Sequence, residues 1–220
     1  MSGLDGNVDL SLQGIRPTFL DDAVCSASAC WGEAVLWRAG ARIGVSGKSG
    51  QGKSTLIRIL SGVEQAYTGS LRFGTKAVQR GRVRPWPYVR SQVLSVVMQD
   101  FHLVPEWSGR ENLRLVPVWA EEVSRNTVSE WSDRLEISEL MDRPVETWSK
   151  GQAQRLALLR SLLSPARWLL LDEPFSHLDA ERTNAAVALI SDVAEARGQG
   201  WVLTHLEAEP DLPCDEVVQV

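Results

Sequence analysis

The stretch RIGVSGKSGQGKSTLIRIL, residues 42–60, restricts the possible folds more than any other part of the chain. Arg42–Ser46 reads as a buried strand that runs straight into a glycine-rich turn. Gly47, Gly52, Lys53 and Ser54 then satisfy the pattern G-x-x-x-x-G-K-[ST]. Over Ser54–Leu60, the residues Leu56, Ile57 and Leu60 share one helical face, and Gly62 ends that helix. Glycines in such a turn let several backbone N–H groups converge on one anion. The helix that follows offers its positive end to the same anion. Lys53 is placed to reach the outer phosphates of a nucleotide, and the Ser54 hydroxyl to ligate magnesium. Gly47, Lys48, Ser49, Gly50, Gln51, Gly52, Lys53, Ser54 and Thr55 are therefore the candidate phosphate cradle, with Lys48 in its variable, solvated part.

The rest of the chain alternates in a matching way. Strands are expected at Val8–Gly14, Glu33–Arg38, Tyr67–Phe73, Val93–Met98, Trp168–Leu171, Trp201–Thr204 and Glu216–Val220. Helices are expected at Gln152–Leu163, followed by Pro165, and at Ala180–Arg197, capped by Gly198. Val123, Val128, Trp131 and Leu135 put a further helix over Glu121–Leu135, so residues 101–150 read as a mostly helical subdomain. Gly74–Ser91 reads as loop. Strands alternating with helices are the pattern of a parallel α/β sheet, whose ligands sit at the carboxyl ends of the strands. Gly47 onward, Gln99, the pair Asp172 and Glu173, and His205 all follow expected strands.

A chain of 220 residues with 44% hydrophobic and 23% charged residues suits one α/β domain with a small subdomain. A net charge of −5 argues against a nucleic-acid partner, and the basic stretch Arg80, Arg82 and Arg84 reads as a solvated loop. Cys25, Cys30 and Cys214 are an odd count without metal spacing and read as reduced thiols of a cytosolic protein. The N-terminal MSGLDGNVDL lacks the charged, apolar pattern of a signal segment. Apolar runs such as Trp168–Leu171 fall far short of the roughly 20 residues of a membrane span, so a membrane role would come through a partner. The nine scattered tryptophans read mainly as packing residues.

Hydrolysis of a nucleotide needs a metal to gather phosphate charge and a group to orient or deprotonate water. Asp172 closes the apolar run WLLLD, where a carboxylate can hold magnesium, and Glu173 next to it is placed as general base. Ser149 and Gly151 stand at a helix start, where they make either a second anion site or an ordinary cap. A second anion site in one chain suggests closure over a nucleotide held by another copy.

In this order the motifs resemble those of the nucleotide-binding subunit of ATP-binding cassette (ABC) transporters, over nearly the whole chain. GKSGQGKST resembles the Walker A loop, VVMQD the Q-loop, and WSKGQAQR the signature, usually Leu-Ser-Gly-Gly-Gln. WLLLDEP resembles Walker B with its catalytic glutamate, Ser176–Asp179 the D-loop, and Leu203–His205 the switch-histidine motif. The resemblance implies an α/β P-loop NTPase (ABC ATPase) core with a small antiparallel β region and a helical subdomain. Residues 1–98 and 154–220 would form the core and residues 99–153 the subdomain of a single ABC ATPase domain.

The resemblance also implies ATP and Mg²⁺ as ligands. Glu173, His205 and Gln99 would be catalytic, and Ser54, Gln99 and Asp172 would face the metal. Ser149 and Gly151 would reach the γ-phosphate held by the opposite protomer of a homodimer, Gln152 would belong to the same nucleotide-binding set, and Asp179 would lie at that interface. Phe19 is the choice for stacking on adenine, with Trp31 second. His102 and His177 carry no such implication. Two residues depart from the usual signature: Trp148 replaces leucine and Lys150 the first of two glycines.

A transmembrane permease subunit on a separate chain is the implied partner, with this chain peripheral on the cytoplasmic face of the membrane. The apolar stretch Phe101, Leu103, Val104 and Trp107 is expected to receive a helix of that subunit, the alternative being that it packs the helical subdomain on itself. The string MQDFHLVPEWSGRENLRL resembles the branch serving lipoprotein release and macrolide export, which points to export. Other readings are a soluble or mechanotransmitting ABC ATPase acting on a non-transport partner, and a small-molecule kinase, which leaves Gln99 and the signature unexplained.

Overall fold

Four consecutive apolar residues, Trp168, Leu169, Leu170 and Leu171, can be satisfied only by a strand covered on both faces, because their side chains alternate between the two sides. In the computed structural model, which describes residues 8–78, 86–116, 125–205 and 213–220, that strand is β7 (Trp168–Asp172), and all five of its residues are buried. It belongs to a five-stranded sheet of order β6-β7-β8-β3-β9. The other members are β3 (Arg42–Ser46), β6 (Leu94–Val97), β8 (Gly200–His205) and β9 (Glu216–Gln219). The pairs β7/β8, β3/β8 and β3/β9 are parallel, in registers that set Asp172 beside Thr204 and Ser46 beside His205. Helix α2 (Lys53–Leu60) buries Leu56, Ile57, Ile59 and Leu60 and packs against β7 and β8. Each such side chain contributes about 1.5–3 kcal/mol on leaving water.

A second sheet, of order β2-β1-β4-β5, is antiparallel: β1 (Leu10–Pro17), β2 (Ala34–Trp37), β4 (Tyr67–Phe73) and β5 (Lys76–Val78). Leu10, Leu12, Ile15, Leu71 and Phe73 are buried, and polar residues between them face outward, as a one-sided sheet requires. β1 runs on to Pro17, past the expected end at Gly14, because a register shift after Gln13 restores its pairing to β4 at Arg16. A short helix that the sequence did not signal, α1 (Asp22–Ala27), is capped by Asp21, whose carboxylate accepts from Ala23 N at 2.8 Å.

Gly74–Ser91 departs most from expectation. Its described part holds β5, a helical turn α3 (Trp86–Tyr88) and the start of a π-turn over Val89–Val93. Gly74 and Thr75 form a two-residue hairpin turn, and Trp86 is buried with its ring edge-on to Phe73 at 6.4 Å. Arg90 donates to the carbonyls of Ser61 (3.0 Å) and Gly62 (3.1 Å) at the end of α2. The expected basic loop Arg80–Arg84 lies outside the described residues.

The chain divides into two compact units: Met1–Val96, Ala166–Asp172 and Gly198–Val220 make the first, and Val97–Pro165 with Glu173–Arg197 the second. The second unit holds α4 (Gly109–Leu113), α5 (Arg125–Arg134), α6 (Lys150–Leu162) and α7 (Ala180–Arg197), with 3-10 turns at Ser138–Leu140 and Val145–Thr147. The helix expected over Glu121–Leu135 is found as α5, its first four positions lying outside the described residues. Residues 101–150 are less helical than expected, because residues 98–107 are turns organised by a buried asparagine. Asn112 accepts from Val104 N at 2.8 Å and donates to the carbonyls of Val104, Trp107 and Ser108. α5, α6 and α7 pack on one another, which carries residues 154–165 and 173–197 into the helical unit.

Seven tryptophans are buried, Trp107 is exposed, and Trp119 lies outside the described residues. Cys25, Cys30 and Cys214 are free thiols, and burial, aided by the Glu216 carboxylate, pushes the Cys30 thiol up to about 12.

Candidate functional site

In the first unit, the expected phosphate cradle sits between β3 and α2. Gly52 caps α2 with φ +105°, a conformation that side chains resist. The N-cap of α2 is a glycine with no side chain to cap the helix, which suits its N-terminal end to an anion. Lys53 is 4% exposed and lies across the loop, its Nζ donating to the carbonyls of Gly47 (2.7 Å) and Lys48 (3.2 Å). The Lys48, Ser49 and Gly50 residues are exposed, and the Gln51 side chain accepts from Lys48 N. Thr55 is half-buried in the first turn of the helix.

Behind the cradle, Asp172 is 3% exposed and its Oδ1 accepts from two hydroxyls: Ser54 Oγ at 3.1 Å and Thr204 Oγ1 at 2.8 Å. This brings together the two expected metal-facing residues of this unit and adds Thr204, which sequence reasoning passed over. Thr204 lies within the string Leu203–His205, but nothing local in the sequence marks its hydroxyl as a partner of Asp172. A hydroxyl and a carboxylate are the oxygen donors that a hard cation such as Mg²⁺ prefers.

His205 ends β8 beside Ser46, with Nε2 3.5 Å from where a Cβ on Gly44 would stand, so its ring lies against the middle of β3. Phe19 is 54% exposed, whereas Trp31 is buried against Gly52, with Nε1 3.2 Å from the position of a Cβ there. Trp31 is thus a core residue, and Phe19 is the aromatic left open. Leu20, its neighbour, also reaches Gly52, with Cδ1 3.0 Å from the same position.

The remaining expected residues are on the second unit. Ser149 caps α6, and a reciprocal box joins it to Gln152: Ser149 Oγ accepts from Gln152 N (3.2 Å) and Gln152 Oε1 from Ser149 N (2.8 Å). Capping is therefore realised here, yet an accepting hydroxyl still has its own proton to donate. Gly151 is required by a close approach, since a Cβ there would stand 2.7 Å from the His177 carbonyl oxygen. Asp179 is exposed and accepts from Arg182 N at 2.9 Å. That N–H, and then the Arg182 guanidinium, hold its carboxyl below the usual carboxylate range.

Glu173 follows Asp172 directly and is half-buried, with φ +47°. Gln99 is exposed in the turn after β6 and helps line a groove of about 450 Å³ with Phe101, Leu103, Val145, Trp148 and His177. Phe101 and His102 both have positive φ, and Arg160 donates to both of their carbonyls at 2.7 Å. Phe101 also meets His177 edge-on at 6.0 Å, while His102 is exposed and pairs with Asp100.

Residues 35–176, well over half of the chain, match the family described as ABC transporter. The chain belongs to the ABC transporter family. It is 36% identical over 215 residues to the arabinose import ATP-binding protein AraG 2 of Burkholderia thailandensis, covering 94% of this chain and 39% of that one. It is 27% identical to the lipoprotein-releasing system ATP-binding protein LolD of Shewanella denitrificans, covering 96% of this chain and 91% of that one. The chain spans less than half the length of the arabinose and glucose import relatives it matches. Among solved structures, the dimeric ABC transporter cassette MJ0796 shares the fold, with a TM-score of 0.76, 21% identity and coverage of 89% of this chain and 88% of that one.

Within this ABC family, the two departures in the signature have different surroundings. Trp148 is buried, its Cη2 2.9 Å from where a Cβ on Gly109 would stand, so the larger side chain fills space that Gly109 leaves. Lys150, at the first position of α6, is exposed. Relatives with import and release names are both among those matched, so membership of the ABC family does not choose a direction of transport.

Proposed function

We propose that this chain binds ATP and hydrolyses it as the nucleotide-binding subunit of an ABC transport system. The observation that carries this reading is the constellation around the start of α2, whose N-cap is Gly52. A buried lysine spans the cradle, and a buried carboxylate is joined to the Ser54 and Thr204 hydroxyls behind it. Lys53 exchanges the loop carbonyls for phosphate oxygens, and the N–H groups of residues 47–55 wrap the rest. Ser54 and Asp172, with Gln99, would hold Mg²⁺, which supplies charge neutralisation at the phosphates. Phe19 stacks on adenine.

Water attacks the γ-phosphorus, the bond to the bridging oxygen of ADP breaks, and the Glu173 carboxylate takes the proton of the water. His205 contacts the γ-phosphate, which requires its ring to turn from Gly44 toward Gly47. Ser149, Gly151 and Gln152 of a second copy close over the same triphosphate, with Asp179 at the interface, so the working form is a homodimer around two ATPs. The fold neighbours support this reading, since one was solved as a dimer and another as a dimer bound to ADP and Pi. No helix among the described residues is long and apolar enough to cross a membrane. The membrane is reached through a separate permease subunit, which seats on the groove lined by Phe101 and Leu103, on the cytoplasmic face.

Glu173→Gln tests the chemistry. It is expected to keep ATP binding, to lower turnover by about 10²–10⁴-fold, and to accumulate an ATP-dependent dimer in light scattering. Unchanged turnover removes Glu173 from its role. Transfer of phosphate to an acceptor in place of water would favour a kinase.

A further inference from the structure

Glu173 raises a physical question that its own neighbours in sequence do not answer. A non-glycine residue at φ +47° is strained and persists only where the surroundings impose it. Gln154, on the first turns of α6, imposes it. Its side chain is 1% exposed and both ends of its amide are used. Nε2 donates to the Glu173 carbonyl oxygen at 3.0 Å and to Ser176 Oγ at 3.3 Å. Oε1 accepts from His177 N at 3.1 Å. One side chain therefore binds the turn at both its start and its end. Gly151 lies three residues earlier, on the same face of α6, and its missing Cβ lets the helix come up against the His177 carbonyl. The helix that begins at Ser149 is thereby joined directly to the turn that carries Glu173.

We infer that Gln154 is a positioning residue for hydrolysis, fixing the Glu173 backbone so that its carboxylate meets the attacking water. This rests on the reading of Glu173 as the base. Gln154 itself touches neither nucleotide nor water in this account. Its effect runs through the Glu173 carbonyl, so it belongs to the catalytic step and not to nucleotide affinity, which resides in residues 47–55.

The test is a double-mutant cycle on the full chain, with Gln154→Leu, Gln154→Glu, Glu173→Gln and the two combinations. ATP affinity, circular dichroism and single-turnover phosphate release are read for each. Gln154→Glu keeps size and the acceptor for His177 N but loses the donor to the Glu173 carbonyl. Both single Gln154 variants are expected to bind ATP within threefold of the parent and to release phosphate at least tenfold more slowly. On the Glu173→Gln background they should add less than twofold, because misplacing an absent base has no effect. An equal loss on both backgrounds, a matching loss of ATP affinity, or an unchanged rate in folded Gln154→Glu overturns the inference. If Glu173→Gln itself keeps the parent rate, the base reading fails, and the inference fails with it.

Discussion

Asp172 shows how much one atom can decide. Its Oδ1 holds two hydroxyl donors in a nearly water-free position, and one of them, Ser54, is the residue expected to face the metal. Asn at this position keeps an acceptor oxygen for Ser54 and Thr204 while removing the charge. Hydrogen bonds to a charged group contribute about 1.5–3 kcal/mol against about 0.5–1.5 for neutral ones, so Asp172→Asn should fold with a modest loss of stability. What it should lose is the response to magnesium. ATP hydrolysis measured against Mg²⁺ concentration is expected to fall by roughly a hundredfold and to need far more metal. An unaltered magnesium curve would show that Asp172 serves the fold alone.

At the scale of elements, β7 is the sheet strand whose residues are all buried, and Leu170 within it is fully so. Leu170→Ala is expected to cost about 2–5 kcal/mol, seen as a fall in Tm of roughly 5–15 °C in calorimetry. A smaller change would mean that the sheet relaxes around the cavity. The elements legible in sequence share this character. Arg42–Ser46, Tyr67–Phe73 and Ala180–Arg197 appear with the bounds expected, because their own apolar pattern and glycine stops determine them. β5 and the turns around Trp86 were not legible, because Trp86 is held by Phe73 and the end of α2, residues distant in sequence. The candidate site divides the same way. Spacing alone exposes the cradle at Gly47–Thr55 and the Asp172–Glu173 pair. Thr204 and Gln154 lie within the motif strings Leu203–His205 and WSKGQAQR, but nothing local names their partners, and only the register of β7 with β8 and the seating of α6 bring them to those partners. That Trp31 is buried and Phe19 exposed is likewise not encoded by sequence distance.

At the scale of the whole molecule, the proposed hydrolysis is useful only if another chain feels it. Phe101 and Leu103 line the groove beside Gln99, and Phe101 also touches His177 in the turn that follows Glu173. A helix seated there would contact a residue next to the proposed metal-facing Gln99 and a ring packed on the turn that carries the proposed base. Both Phe101 and Leu103 belong to the second unit, whereas the phosphate cradle belongs to the first, so the two functions are separable by substitution. A carboxylate placed among Leu103, Val145 and Trp148 opposes an apolar partner and pays desolvation on docking. Phe101→Glu and Leu103→Glu are therefore expected to release the chain from membranes containing the proposed permease subunit in a flotation assay. ATP binding should stay within threefold of the parent. If both variants still float with the membrane, the partner seats elsewhere and this groove has no part in transmission. If ATP binding collapses with docking, the groove and the cradle are one cooperative structure, and the permease acts on nucleotide affinity as well as on turnover.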